Sequence, residues 1–302
     1  MKKLLNTLAT GAATAALFLA TPAFAETDAV TTNPVAAKPA LWKVADEDTT
    51  IYLFGTVHIL PKGIDWAGPA ITGALAESDQ LITEIPTGAE AEAAMQQMAL
   101  AKGMLPQGTT LRSLLSDEQK AKYEAALGTL GVPPAAFDPF KPWMAGLTLT
   151  VLPLMQQGYS PDAGVETELG KLAGPDKPRG ALETVEFQLG IFDGMAQNAQ
   201  IEFLLSAAET VGEVKPMLDA MVAEWAEGDA DGLAEIMNRE LGDPAVAEAL
   251  LYSRNGNWAE WIDTRLDTPG IVFVAVGAGH LAGERSVQDL LAQRGIATAR
   301  VQ

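Results

Sequence analysis

The chain has 302 residues, carries a formal net charge of −19 at neutral pH and contains no cysteine. The lack of cysteine excludes a disulfide framework, a thiolate metal site and a cysteine nucleophile. The acidic balance argues against a nucleic-acid partner, because binding phosphates requires a basic surface.

The first 25 residues have the pattern of a cleavable secretory signal. Lys2 and Lys3 precede a mostly apolar stretch, and Ala23-Phe24-Ala25 is typical of a cleavage site. We therefore predict cleavage after Ala25 and a periplasmic or secreted protein. No later segment offers the ~20 unbroken apolar residues of a membrane helix, so no membrane span is expected after signal removal.

Residues 26–40 are rich in Thr, Ala and Pro and lack hydrophobic periodicity, which predicts a flexible leader. A single domain is expected over residues 41–302. It begins with two strands, over residues 41–44 and 50–54, joined by a polar turn. A helix over about 66–76 and a strand over 79–85 follow, and Pro86 ends that strand.

The segment from about residue 90 to 266 has a mostly helical pattern. Good helix formers fill residues 90–101, and Ser116 and Gln119 have capping-box spacing before a helix to about 130. Asp138-Pro139 predicts the start of another helix, apolar enough to be well buried or to face a partner. A short strand over 180–184 precedes a helix over 185–195. Further helices are predicted over residues 201–210, 214–227, 231–241, 245–252 and 258–266.

The chain closes with a predicted strand over residues 271–276, a helix over 286–293 and a strand over 297–301. Strands at both ends and a helical middle predict an α/β or α+β fold. We expect a mixed, partly parallel sheet formed by the N- and C-terminal strands, with a large helical insertion between them.

The two histidines of the chain end two copies of a Gly-x-x-His motif. Gly55-Thr56-Val57-His58 follows one apolar run, and Gly277-Ala278-Gly279-His280 follows another. If these strands are parallel, both imidazoles and Glu84 lie at the carboxyl edge of the sheet, where open α/β sheets bind ligands. Gly55 and Gly277 are expected to leave the strands through backbone angles barred to other residues.

Two imidazoles and one carboxylate are a known set of three protein ligands for a divalent cation. His58, His280 and Glu84 are therefore the predicted metal ligands, with water on the ion activated for attack. Arg254 is a candidate for stabilising developing negative charge. Further carboxylates are candidates for a ligand, a supporting contact or the general base: Asp65, Glu166, Glu183 and Glu186.

Each of these residues also has a structural interpretation. A histidine after a strand can simply bond to backbone, and Glu84 can end an edge strand. Glu183 can cap the helix that follows it, and Arg254 can pair with a surface acid. No Gly-x-Ser-x-Gly elbow or phosphate-binding P-loop motif is present.

Several segments in a fixed order carry a family resemblance. They are Leu41-Trp42-Lys43-Val44, the run from Tyr52 to His58, the strand with Glu84, Gly164-Val165-Glu166-Thr167, Ala181-Leu182-Glu183-Thr184 with Gln188, Arg254-Asn255 with Trp258, and the run from Val274 to Leu281 with Gly283. In these the chain resembles the TraB/GumN family, which also includes the Tiki-type proteases.

The resemblance implies an α/β fold related to erythromycin-esterase and haem-binding ChaN-like proteins. It also implies a site made of His58, His280, Glu84 and Arg254, and a metal-dependent peptidase activity that favours manganese or cobalt. Zinc is a third candidate ion.

Three functional hypotheses follow. The first is an exported, divalent-metal-dependent, peptidase-like hydrolase acting on a peptide or another carbonyl compound, with Glu183 or Glu166 as base. The alternative is a non-catalytic periplasmic protein that binds haem, a metal or a small ligand through the same histidines. The third is an interaction protein that associates through the apolar helix after Pro139. The sequence leaves the substrate, the ion and the oligomeric state open.

Overall fold

The computed structural model describes residues 35–240 and 244–302 of the chain. The predicted signal, its cleavage site after Ala25 and most of the predicted leader lie outside these residues. From residue 35 onward the leader segment is held in place, because Val35–Ala36 form a short strand that pairs with Ile64–Asp65. No helix in the described part of the chain is both long and apolar enough to cross a membrane.

Strands dominate the two ends of the described chain. They are β1 (Val35–Ala36), β2 (Leu41–Ala45), β3 (Thr49–Thr56), β4 (Leu60–Pro61), β5 (Ile64–Asp65), β6 (Gln80–Thr83), β7 (Tyr159–Ser160), β8 (Arg179–Ala181), β9 (Gly270–Gly277) and β10 (Ala299–Arg300).

Helices fill the middle and follow the last long strand. They are α1 (Pro69–Glu77), α2 (Ala89–Gly103), α3 (Asp117–Thr129), α4 (Pro142–Gln156), α5 (Val165–Ala173), α6 (Val185–Asp193), α7 (Gln197–Thr210), α8 (Val214–Glu227), α9 (Ala230–Glu240), α10 (Pro244–Ala247), α11 (Ser253–Leu266) and α12 (Val287–Gln293). A π-helical turn, Glu248–Tyr252, leads directly into α11.

Six strands form one mixed sheet in the order β10-β2-β3-β9-β6-β8. β3, β9, β6 and β8 are parallel, whereas β2 and β10 join the sheet by antiparallel pairing. Most residues of the central strands β3 and β9 are buried, as is usual for parallel strands covered on both faces. The predicted mixed sheet of N- and C-terminal strands is confirmed, and β8 from the helical middle extends its edge.

The register of the sheet aligns the ends of its central strands. β3 and β9 pair along their whole lengths, with Thr56 opposite Gly277 at the carboxyl end. On the other side of β9, Thr83 of β6 lies opposite Ala275. His58, Glu84 and His280 each follow these ends within a few residues, so the register brings all three to one edge.

The central helix of the middle region is α4. Its residues from Pro142 to Leu154 are buried, and they pack on α7 within a core that includes side chains of α2, α3 and α6. The apolar face of α4 is therefore covered by the chain itself. Of the two alternatives predicted for this helix, burial or contact with a partner, the structure shows burial. The structure leaves no free apolar face on this helix for the association considered from the sequence.

The predicted start of this helix at Pro139 is wrong, since α4 begins at Pro142. The carboxylate of Asp138 does not cap a helix but accepts a hydrogen bond from Arg112 Nη2 at 2.7 Å. The carbonyl of Pro139 accepts the amide of Leu105, just beyond the end of α2. Tertiary pairing of this segment outweighs its local capping signal. The predicted capping box of α3, by contrast, is confirmed at Ser116 and Gln119.

Candidate active site

The two Gly-x-x-His copies pack directly against each other at the sheet edge. The predicted backbone role of their glycines is wrong for Gly277, whose φ of −49° is open to any residue. Gly55 also lies outside the residues with positive φ. A Cβ added at Gly55 would lie 3.0 Å from the Cα of Ala278. The glycine at position 55 therefore permits close approach of the two copies rather than an unusual turn.

A buried guanidinium lies at the centre of this edge. Arg254, in the first turn of α11, is 1% exposed. Its Nη2 donates to Glu84 Oε2 at 2.6 Å, and its Nε donates to Glu183 Oε1 at 2.8 Å. Burial acts to lower the pKa of Arg254, but the charges of Glu84 and Glu183 outweigh it and raise the pKa. One cation thus neutralises only one of the two buried acids.

Both carboxylates have further donors that fix them in place. The amide of Gly277 donates to Glu84 Oε1 at 2.7 Å. Gln188 Nε2 donates to Glu84 Oε2 at 3.0 Å and to Glu183 Oε2 at 2.9 Å. Trp258 Nε1 donates to Glu183 Oε1 at 3.0 Å. Glu183 therefore has its oxygens engaged by Arg254, Gln188 and Trp258, an arrangement suited to positioning.

His280 is held in one tautomer by Asn255. Its Nδ1 lies 2.6 Å from Asn255 Oδ1, while Asn255 Nδ2 donates to the carbonyl of Arg285 at 2.8 Å. Because the Asn255 amide nitrogen is the donor, its oxygen faces the ring, and we assign the proton of His280 to Nδ1. Nε2 then accepts from Arg254 Nη1 at 3.1 Å. Burial and the positive charges of Arg254 and His58 hold the pKa of His280 well below 6.5.

His58 forms the second half of the site with Glu166. His58 Nδ1 lies 2.6 Å from Glu166 Oε1, so the two side chains form an ion pair when the ring is protonated. Burial acts to lower the pKa of His58, but Glu166 outweighs it and raises the pKa above 6.5. Burial acts to raise the pKa of Glu166, but His58 outweighs it and lowers that pKa. The buried Nε2 of His58 has no hydrogen-bond partner among the described residues.

Glu166 lies beside His58 because the start of helix α5 packs closely against the backbone of Val57 and His58. The amide of Val165 donates to the carbonyl of Val57 at 3.0 Å. A Cβ added at Gly164 would overlap the carbonyl oxygen of His58. The glycine thus allows the start of α5 to lie against the motif, with Glu166 two residues further on.

Replacing Gly164 with alanine is expected to cost about 1–3 kcal/mol of unfolding free energy, because the methyl group meets backbone that cannot turn aside. The displaced helix start should also separate Glu166 from His58. Urea unfolding measures the first effect, and Gly128→Ala is the control, since nothing lies within 4 Å of a Cβ at that helical position. A Gly164→Ala protein as stable as the parent would contradict this role for the glycine.

The two halves belong to one electrostatic environment. The charges of Glu84 and Arg254 both act on the pKa of His58, and the charge of His58 acts on the pKa of His280. The rings of His280 and Trp258 are also in contact, with centroids 4.3 Å apart. The predicted meeting of the two histidines at one edge thus corresponds to a single buried polar cluster.

Residues 40–300 match the TraB/PrgY/gumN family. The chain belongs to this family. It is 22% identical over 268 residues to an uncharacterized protein of Treponema pallidum (strain Nichols), covering 84% of this chain and 80% of that protein. It is 23% identical over 243 residues to the uncharacterized protein YbaP of Escherichia coli (strain K12), covering 80% of this chain and 87% of YbaP. No solved structure is significantly similar to the chain.

In this TraB/PrgY/gumN-family chain, the site collects six of the residues singled out from sequence. They are His58, Glu84, Glu166, Glu183, Arg254 and His280. The other two candidate carboxylates lie elsewhere, since Asp65 is exposed on β5 and Glu186 pairs with Lys102 at 3.2 Å on the surface.

Sequence reasoning did not assign roles to Gln188, Asn255 or Gly164. All three lie within the segments that carried the family resemblance, which was the available signal. Their contacts to Glu84, His280 and the backbone of His58 give each a physical reason to be there.

The three predicted metal ligands are close together, but their donor atoms do not form an open set. Glu84 Oε2 and His280 Nε2 both face Arg254, and Glu84 Oε1 accepts from Gly277. Among the three predicted ligands, His58 alone has a side-chain nitrogen without a hydrogen-bond partner in the described part of the chain. Within residues 35–240 and 244–302, no group of three or more His, Asp or Glu side chains is arranged to hold a metal ion. The guanidinium of Arg254 lies between Glu84 and His280. These side chains are therefore not arranged to bind the predicted metal ion together with His58.

The pKa values of the two histidines should differ from the ordinary value of 6.5 in opposite directions. We expect the His58 imidazole to gain its proton above pH 6.5 and the His280 imidazole to stay neutral well below it. Since the unfolded chain protonates its histidines near pH 6.5, His280 should lower stability progressively as the pH falls below that value. NMR of ring-labelled, tag-free protein resolves the two signals, and His58→Gln assigns them. Two titrations near pH 6.5 would contradict this picture.

Proposed function

We propose that this TraB/PrgY/gumN-family chain is an exported hydrolase of a carbonyl compound, with peptides as the first substrate class to test. One observation carries the proposal. The His58 imidazole has a carboxylate at Nδ1 and an unpartnered, buried lone pair or proton position at Nε2. A histidine beside a carboxylate, whose second nitrogen has no hydrogen-bond partner in the described part of the chain, has the arrangement of a general base.

In this proposal the neutral His58 accepts the proton of an attacking water at Nε2. Glu166 orients the ring and stabilises the imidazolium that forms. On a neutral ring, the proton then sits at Nδ1 toward Glu166, which leaves Nε2 as the acceptor. The oxygens of Glu183 already accept hydrogen bonds from Arg254, Gln188 and Trp258, so Glu183 is a poorer base than His58.

Arg254 acts here as a positioning residue. Its N–H groups point to Glu84, Glu183, His280 and the carbonyl of Leu250. Because a guanidinium has five N–H donors, this set of contacts leaves none for a developing oxyanion. The role of charge stabiliser expected from the sequence therefore gives way to one of holding Glu84 and His280.

The divalent ion of the sequence hypothesis stays a prediction, and no step above depends on it. Elemental analysis of the protein, purified without chelator or immobilised metal, measures manganese, cobalt and zinc per chain. One equivalent that is lost in both His58→Ala and His280→Ala would restore the three-ligand site and require Arg254 to release its partners.

The test of the proposal is hydrolysis by the mature protein, beginning at Glu26. A mixed peptide library is incubated with the parent protein and with His58→Ala, and new termini are read by mass spectrometry. Cleavage by the parent protein that is absent from His58→Ala supports the proposal. No cleavage by either, together with a Soret band on haem titration, would instead favour the haem-binding alternative. Detection of an N-terminus at Glu26 in exported protein tests the export signal.

A further inference from the structure

A groove beside α2 and α5 connects with the site through Glu166. A cavity of about 300 Å³ is lined by Glu166, Gly170 and Arg179, and a second of about 660 Å³ is lined by Met98 and Val185. The two cavities share the lining residues Pro86, Thr87, Gly88, Met95 and Arg179, so they form one continuous groove, called here the α2–α5 groove.

Glu166 is the place where this groove reaches the buried cluster. Its side chain is 14% exposed, whereas the side chains of His58, Arg254 and His280 are 3%, 1% and 0% exposed. A substrate lying in the groove therefore meets Glu166 before any other part of the site, and His58 lies behind it with Nδ1 2.6 Å from Glu166 Oε1.

Among the described residues that line it, the groove combines apolar side chains with one cation, Arg179, that has no carboxylate partner. Pro86, Met95 and Met98 provide apolar surface. Lys171 also lines it, but its Nζ is paired with Glu168 at 2.6 Å. Arg179 Nη2 donates to the carbonyls of Gly170 and Gly174 at 2.7 and 3.2 Å. In the described part of the chain, no carboxylate forms an ion pair with Arg179.

The acids of the groove limit where an anionic group can bind. Glu90 and Glu92, both in the first turn of α2, line the groove as well. They disfavour a carboxylate at the α2 end. Arg179, which lies in both cavities, is left as the matching position for a carboxylate, because among the described residues only its Nη2 is engaged, and its Nε and Nη1 remain as charged donors.

The spacing from Arg179 to the site is short. Glu166 and Gly170 are one turn apart on α5, which is roughly 6 Å along the helix, and Arg179 is bonded to the carbonyl of Gly170. One extended residue spans about 3.3–3.6 Å. A carboxylate on Arg179 therefore lies about two residues from a carbonyl group beside Glu166, the partner of His58.

We propose that the α2–α5 groove binds the carboxyl end of a peptide, with its terminal carboxylate on Arg179 and apolar side chains against Met95 and Met98. This inference rests on the proposed hydrolase for the reaction, but it names the substrate class and can be tested by binding alone. Hydrolysis near the carboxyl terminus is the expected outcome: water adds to the peptide carbonyl, the C–N bond breaks, and the leaving amine takes a proton.

Binding is measured by calorimetry in the His58→Ala background, so that the probe is not consumed. The probe is an acetylated tripeptide of leucine, leucine and phenylalanine, used as the free acid and as the carboxamide. We expect the acid to bind about tenfold more tightly or better, the strength of a charged hydrogen-bonded contact. Arg179→Gln should abolish the preference, whereas the matched control Lys171→Gln should retain it.

Equal affinity for acid and carboxamide, or a preference that persists in Arg179→Gln, would overturn the inference. Since Arg179 also binds the end of α5, a second measurement avoids the variant. In methionine-methyl-labelled protein, the free acid should shift the Met95 and Met98 signals, and unshifted signals would also overturn it. If the acid is preferred through Arg179 but the parent protein cleaves no peptide, the proposed hydrolase is wrong while the inferred binding groove is supported.

Discussion

Replacing Arg254 with methionine is expected to lower the free energy of unfolding by about 3–5 kcal/mol, the usual cost of removing one partner from a buried ion pair. Methionine keeps much of the side-chain length, so the loss reflects charge more than packing. Without the guanidinium, Glu84 and Glu183 stay at 6% and 7% side-chain exposure with no cation between them. Gln188, Gly277 and Trp258 still donate to them, but neutral donors do not balance two charges.

The charge origin of this effect can be separated from a packing defect. Adding Glu84→Gln and Glu183→Gln to Arg254→Met removes the unpaired charges, and it should recover part of the lost stability. Arg294→Gln is the matched control, because Arg294 pairs with Asp263 at 2.9 Å while both are more than a third exposed. Such a surface pair contributes at most about 1 kcal/mol.

Much of the fold was predictable because its signals are local. The apolar runs before His58 and His280 read directly as buried strands, and β3 and β9 are those strands. The capping box at Ser116 fixed the start of α3. The start of α4 was not predictable in this way, because the local signal at Asp138 competes with Arg112, which is 26 residues away in sequence.

The clustering of the candidate site residues was predictable, but their individual contacts were not. Unique histidines after strands, together with parallel pairing, were sufficient to bring His58, Glu84 and His280 to one edge. The pairing of carboxylates with cations depends on how helices α5 and α11 pack against the sheet edge. No local sequence pattern predicts that packing. Glu166 pairs with His58 because Gly164 lets α5 lie against the motif. Arg254 reaches Glu84 because α11 begins at Ser253, five residues earlier than the pattern indicated.

The largest effect on activity is expected at His58. If the proposed hydrolase is correct, His58→Ala should lower kcat by about 10²–10⁴-fold, the usual contribution of a general base. The raised pKa of His58 adds a condition, since the ring accepts a proton only when neutral. The rate should therefore rise with pH through a value above 6.5. Initial rates on a cleaved peptide, measured across pH, give both quantities.

Glu166→Gln tests whether the ion pair sets that pH dependence. Removing the carboxylate charge should lower the pKa of His58, so the acidic limb of the rate profile should move to lower pH while the maximal rate falls. A variant that merely disturbed the fold would reduce the rate without moving the limb. Glu186→Gln is the control, because Glu186 is a surface acid paired with Lys102. An acidic limb unmoved in Glu166→Gln would show that another group, rather than His58, takes the proton.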